Sequence, residues 1–306
     1  METMNEEVLA RTRSDAASQG LLMPLAAAVR DRTVSARRLV EESLRRIAAA
    51  DGLGAVVALR GDEALADAER LDRDIQGGSP AGPLAGLPLL VKDIEDAAGL
   101  PTTYGSLIRS DDGPVTRDGA MTARLRAAGA IVIGKTNVPE FALEGYTANR
   151  AFGATRNPWS AAFSPGGSSG GSGAALAAGL APIATATDVG GSIRIPAALC
   201  GLVGLKPTVG LIGRDPGLAS LDINSHGPLT STVADARLLL GILAGPVAGD
   251  PGALPRGSWA APAASPRRLL VAMRLAPGPP VAEPVAAVVR AALALLAPEL
   301  AVAVEE

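Results

Sequence analysis

Residues 164–208 read SPGGSSGGSGAALAAGLAPIATATDVGGSIRIPAALCGLVGLKPT, and no other stretch of this length holds so much glycine, serine and alanine with so few charges. A glycine-serine loop, Gly166 to Ser172, opens it. A small-residue run, Ala174 to Leu180, suits a close-packed helix. The apolar segment Ala181 to Thr187 then enters a second tight turn at Asp188, Val189, Gly190, Gly191 and Ser192. Glycine lets a backbone amide approach a ligand closely and reaches φ values that other residues avoid. Two such turns, each carrying serine, predict a site that presents hydroxyls and backbone N–H groups to one small electrophile.

Side-chain counts narrow the chemistry that such a site could run. The chain has one cysteine, Cys200, and one histidine, His226. An intrachain disulfide is impossible, and a zinc site built on several His or Cys ligands cannot be assembled, so no metal is expected. Cys200, inside AALCGLVG, reads as a small buried hydrophobe. A Ser-His-Asp triad would have to use His226, whose plainer reading is structural. Lysine is scarce as well: Lys92, Lys135 and Lys206 are the three lysines among 28 cationic residues. Where arginine is the habitual cation, a retained lysine marks a position where the proton must be able to leave, or a chance of sampling.

With 306 residues, 48% of them hydrophobic, the chain can bury a large core as one large or two smaller domains. Its net charge of −3 is mixed along the sequence, and the absence of an aromatic-basic run predicts no nucleic-acid partner. The polar N-terminus, METMNEEVLARTRSD, predicts no secretory leader and a cytoplasmic protein. The longest apolar stretch, 284–304, is interrupted by Arg290, Pro298 and Glu299 and reads as a buried helix and a strand rather than a membrane span.

In chain order, 1–76 is expected to be a helical region, with Ser35 as an N-cap and a short strand at 55–59. A catalytic core is expected over 77–245, and 246–306 reads as the start of a further region. Leu87 to Val91 reads as a buried strand ending at Lys92, whose surface alternative is pairing with Asp93, Glu95 or Asp96. Gly129 to Thr136 satisfies the phosphate-loop pattern, but Ala130 to Ile133 are strand formers where a flexible cradle is needed, so a strand is expected there. Lys206 is expected at a strand end and Thr232 as the N-cap of a helix from about Val233. Strands alternating with helices predict an α/β fold with a mixed, mostly parallel twisted sheet covered by helices on both faces.

The residues themselves point to a serine nucleophile at Ser192. The amides of Val189, Gly190, Gly191 and Ser192 would form its oxyanion hole. With histidine scarce, the base would be a neutral lysine, Lys92, reached through Ser168. A glycine turn pair that only allows tight packing, or binds an anion, is the alternative.

These segments resemble the amidase signature family. The likeness runs from GLPLLVKD through GAIVIGKTNVPEFA, TANRAFGATRNPW and the glycine-serine segment to HGPLTSTVAD, and covers about residue 20 to the end. It implies one amidase signature domain over 1–306 that hydrolyses an amide to an acid and ammonia or an amine. Ser192 would be the acyl-forming nucleophile, Ser168, in a cis peptide linkage, the bridge, and Lys92 the base, with no cofactor and a small amide as partner. It also implies that Asp188 and Arg194 brace the turn and that Ala142 to Tyr146 line the acyl pocket. Against the family pattern the chain is C-terminally short, which predicts an incomplete C-terminal region and an open sheet edge able to support a homodimer. Ser231 stands where arginine is common. Two alternatives follow: a glutaminase-like member working within a tRNA-dependent amidotransferase complex, which usually carries glutamine where Ile195 stands, and an inactive binding module.

Overall fold

The apolar run that ends at Lys92 forms β2 (Pro88–Lys92), and every residue of it is buried. On one side β2 pairs in parallel with β3 (Ile131–Thr136), and on the other with β6 (Ile183–Ala184). The computed structural model describes residues 20–215, 223–255, 257, 268–272, 281–296 and 301–305. They fall into two compact units, residues 1–258 and 259–306.

The first unit holds a six-stranded sheet. From one edge its order is β1 (Val56–Leu59), β3, β2, β6, β10 (Leu229–Thr230) and β8 (Val203–Gly204), and β4 (Ala148–Asn149) pairs with β5 (Gly153–Ala154) apart from it. The sheet is mixed, as expected, but parallel pairing is confined to its two central pairs. The β1–β3, β6–β10 and β10–β8 pairs are antiparallel.

Successive residues of a strand face opposite sides, and both sides are covered here. Leu90, Ile131 and Ile133 meet a core built from α2 (Ala36–Ala49), α3 (Gly61–Gln76) and α5 (Gly170–Ala177). Leu89, Val91 and Val132 meet the opposite core, from α1 (Leu22–Arg30), α4 (Ala120–Ala127) and α7 (Val233–Leu243). Apolar side chains on both faces explain why these strands read as continuous apolar runs.

The caps follow the sequence. Ser35 accepts from the Arg38 amide at the start of α2, and Thr232 accepts from the Asp235 amide at the start of α7. The phosphate-loop pattern is strand β3, buried throughout, with Gly129 at φ 100° just beyond α4. Lys206 lies in the loop beyond β8, not at its end. In the second unit, β11 (Arg268–Ala272) and β12 (Ala301–Glu305) pair in parallel, and α8 (Glu283–Leu296) lies between them in sequence. Residues 1–19 of the expected helical region lie outside the described residues. Among the described residues, no helix is long and apolar enough to cross a membrane.

Candidate active site

In parallel sheets, ligands bind beyond the carboxyl ends of the strands, and Lys92 is the last residue of β2. Surface pairing of Lys92 is overturned: the side chain is 0% exposed. Its amide donates to Thr185 Oγ1 just past β6, which steers the side chain along the sheet end. Nζ donates to Ser168 Oγ at 2.9 Å and to Thr187 Oγ1 at 2.8 Å. Burial pulls the amine down to about 7, while the Glu95 and Asp188 carboxylates pull it back up.

Ser168 follows a cis peptide bond from Gly167 and sits two residues before α5. This helix departs from expectation. It begins at Gly170, inside the stretch read as loop, and its first seven residues are buried. Glycine is a poor helix former by about 1 kcal/mol per residue, so tertiary packing has overridden local preference. The absent side chain of Gly171 lets the helix rest on Asn137, where a Cβ would collide with the backbone N and O. Ser172 Oγ donates to the Thr185 carbonyl and bonds Thr136 Oγ1, tying the helix to the ends of β6 and β3. Gly171→Ala is therefore expected to destabilise the chain by about 1–3 kcal/mol, read as a lower denaturant midpoint at unchanged slope.

Ser192 stands in the turn between β7 (Thr187–Asp188) and α6 (Arg194–Cys200). Asp188 organises this turn. Its carboxylate is buried, accepts from both Nε and Nη2 of Arg194 at 2.9 and 2.8 Å, and accepts from the amides of Gly191 and Ile193. Burial pushes this carboxyl up, but the Arg194 bonds and the two amides outweigh it and hold it below its ordinary value. One expectation needs correcting here. The Gly191 amide is committed to Asp188 Oδ1 at 2.8 Å, so it does not face the cavity as a fourth oxyanion donor. A carboxylate within reach of that N–H binds it before a substrate can.

Ser168, Thr187, Val189, Gly190 and Ser192 line one cavity of about 560 Å³. Ala142, Leu143, Glu144 and Gly145 complete its wall, whereas Tyr146 lines the neighbouring hollow. Tyr104, Phe141 and Ala142, all on this wall, adopt positive φ of 56°, 51° and 59°, and such backbone strain gathers at functional sites. Ser169 straps the two serine turns together: its amide donates to the Ser192 carbonyl at 3.2 Å, and its hydroxyl contacts the Thr187 backbone. Thr187, Thr185 and Ser169 escaped the sequence reading. The one signal for the two threonines is their alternation in TATD, which puts both hydroxyls on Lys92, one on its amide and one on its amine; Ser169 carries none beyond its place in the glycine-serine loop. Cys200 is buried, and burial pushes its thiol up to about 11. Ser231 is exposed.

A family model described as Amidase matches residues 38–305. The chain is 43% identical to an acylamidase of Rhodococcus erythropolis over 74% of its own length and 48% of the relative's. It is 45% identical to the A chain of a glutamyl-tRNA(Gln) amidotransferase from a Synechococcus species, over 70% of its length and 44% of that relative's. Among solved structures it resembles a bacterial aryl acylamidase of the amidase signature family, with TM-score 0.81 and 33% identity, covering 91% of this chain and 59% of that one. A peptide amidase from Stenotrophomonas maltophilia gives TM-score 0.79 and 34% identity, covering 93% and 61%. The chain spans about half the length of the curated relatives it matches.

Proposed function

This chain belongs to the amidase family, and from that premise we propose that it hydrolyses a carboxylic amide through an acyl-enzyme on Ser192, with Lys92 as base and Ser168 as relay. The observation that carries the reading is a fully buried lysine 2.9 Å from a serine hydroxyl that shares a cavity with Ser192. A neutral Lys92 keeps one N–H on Thr187 and turns its lone pair to Ser168. As Ser192 Oγ attacks the amide carbonyl, its proton passes to Ser168 and the Ser168 proton to Lys92. The developing oxyanion is received by the Val189, Gly190 and Ser192 amides, each worth roughly 3 kcal/mol if well aimed. The amine departs with a proton returned along the same path, and water repeats the sequence on the ester. The same reading treats residues 1–306 as one amidase domain, on the strength of the match over 38–305.

Ile94, Phe141, Leu143, Val189 and Ile195 make the cavity wall largely apolar, and Glu144 is the one carboxylate on it among the described residues. An uncharged aryl or alkyl acyl group fits this lining. Glutamine, substrate of the amidotransferase alternative, carries an ammonium and a carboxylate that both need partners.

Incubating the folded chain with a serine-directed fluorophosphonate and weighing it intact tests the reading, followed by a comparison of aryl and alkyl amides with glutamine. One added phosphonyl group, and release of acid from the apolar amides, is the expected result. A folded chain that takes no label overturns it. Because only neutral Lys92 acts as base, the labelling rate is expected to rise with pH, be half-maximal near 7, and fall about tenfold per pH unit below that.

A further inference from the structure

Glu95 lies in the turn that leaves β2, where its amide donates to the Lys92 carbonyl at 2.9 Å. Its side chain is 6% exposed, a setting in which an unpaired charge is costly. His226 Nε2 donates to Glu95 Oε1 at 2.9 Å. His226 arrives on β9 (Ser225–His226), directly opposite Thr187, the residue that receives the Lys92 amine. Carboxylate and imidazole thus reach the surroundings of Lys92 by two routes, along the chain from β2 and across the ladder from β7. His226 Nδ1 is buried with no hydrogen-bond partner among the described residues. Buried polar atoms are usually satisfied, so this ring is set by its bond to Glu95 rather than by a balanced pair of contacts. The relay through Ser168 uses neither residue.

The other charges nearby have their own counterparts. Lys92 lies within the electrostatic reach of Glu95 and Asp188, and Asp188 is held by Arg194. Glu95 faces Lys92, His226 and Lys135 of β3; Lys135 also faces Asp96 and lies 3.5 Å from Asp93. The Tyr104 phenol faces Asp93, Glu95, Asp96 and Arg109. Burial pushes the Glu95 carboxyl up, but His226, Lys92 and Lys135 together hold it below its ordinary value, so it stays ionised. Asp188 is occupied by its guanidinium. Glu95 is the carboxylate that the turn after β2 and the β7–β9 ladder together bring to the surroundings of Lys92.

We propose that Glu95 is a positioning residue of this site: held by His226, its buried carboxylate is the countercharge of Lys92 and governs how readily that amine takes and releases a proton. Without it, burial would drive the amine toward the neutral form with only Asp188 in opposition. The proposal rests on reading Lys92 as the base, and its test is chosen to be readable apart from that reading.

The chain has three lysines, so protein grown on lysine enriched at Cε with an NMR-active carbon isotope shows few signals, and the one lost in Lys92→Met belongs to Lys92. Its titration follows the amine directly, needs no substrate, and is read whether or not Ser192 takes a fluorophosphonate. The wild-type midpoint is expected near 7. Glu95→Gln keeps the shape and an acceptor for His226 Nε2 while removing the charge, and is expected to lower the midpoint by about one pH unit or more. The double variant Glu95→Gln/His226→Gln replaces the pair by two neutral amides able to bond each other, and should show the same fall. In a chain that labels, the acid limb of the labelling rate should move down in parallel. An unchanged midpoint in either folded variant overturns the proposal. Loss of fold in both does so too, because the pair would then act on the fold and not on Lys92.

Discussion

Replacing Ser192 by alanine is expected to abolish fluorophosphonate labelling and to lower amide hydrolysis by about 10⁴-fold or more. The size of the effect follows from the lack of a substitute. Ser168 Oγ is engaged by Lys92, and Cys200 is buried with its thiol pushed up to about 11. What remains is the set of backbone amides, which polarise a carbonyl without attacking it. The fold should be indifferent to the change, because Ser192 is only partly buried and its tie to Ser169 runs through its carbonyl. Intact mass, hydrolysis rate and denaturant midpoint measured on the same preparation separate the two effects. A variant that still takes label would place the nucleophile elsewhere.

Lys92→Met is expected to slow acylation by about 10³-fold and to remove the dependence on pH near 7. Lys92→Arg should do no better, since a guanidinium keeps its proton and is bulkier than the fully buried slot allows. Stability should respond in the opposite sense. Burial lowers the Lys92 amine from 10.5 to about 7, so between those values the unfolded chain holds a proton that the folded chain lacks. The unfolded state then binds more protons, and wild-type stability rises with pH across that window. Below 7 both states are protonated and the folded state bears the whole penalty of a buried charge. Methionine removes the penalty, so its gain in denaturant midpoint should be largest below pH 7 and shrink toward 10.5. A gain that does not vary with pH would mean that the amine is solvated in the folded chain.

The ingredients of the candidate site were visible in the residues, while their mutual placement was not. Lysine scarcity singled out Lys92, and the glycine turns singled out Ser168 and Ser192. Nothing in the spacing said whether Lys92 paired at the surface or entered the core. That depended on Thr185 and Thr187, which lie 93 and 95 residues away along the chain. The start of α5 is hidden in the sequence for a related reason. Local propensity argues against a helix through Gly170 to Gly173, and only the approach of Asn137 and Pro196 shows why glycine is needed there. The Gly191 amide looked free in sequence because a carboxylate three residues earlier can either turn outward or fold back, and Asp188 folds back.

What the sequence determined by itself was the set of possible chemistries and the alternation of strand and helix. Side-chain identity fixes which groups can attack, donate or lose a proton, and apolar period fixes which segments are buried. Tertiary structure decided the sheet order, the depth of Lys92 and the meeting of Glu95 with His226. The two residues of that last pair lie far apart in the chain, and neither carries a local pattern that announces the other. Their contact depends on β9 pairing with β7, a two-stranded ladder apart from the main sheet, while the turn after β2 brings Glu95 to it, and such long-range placement is set by the summed packing of the fold.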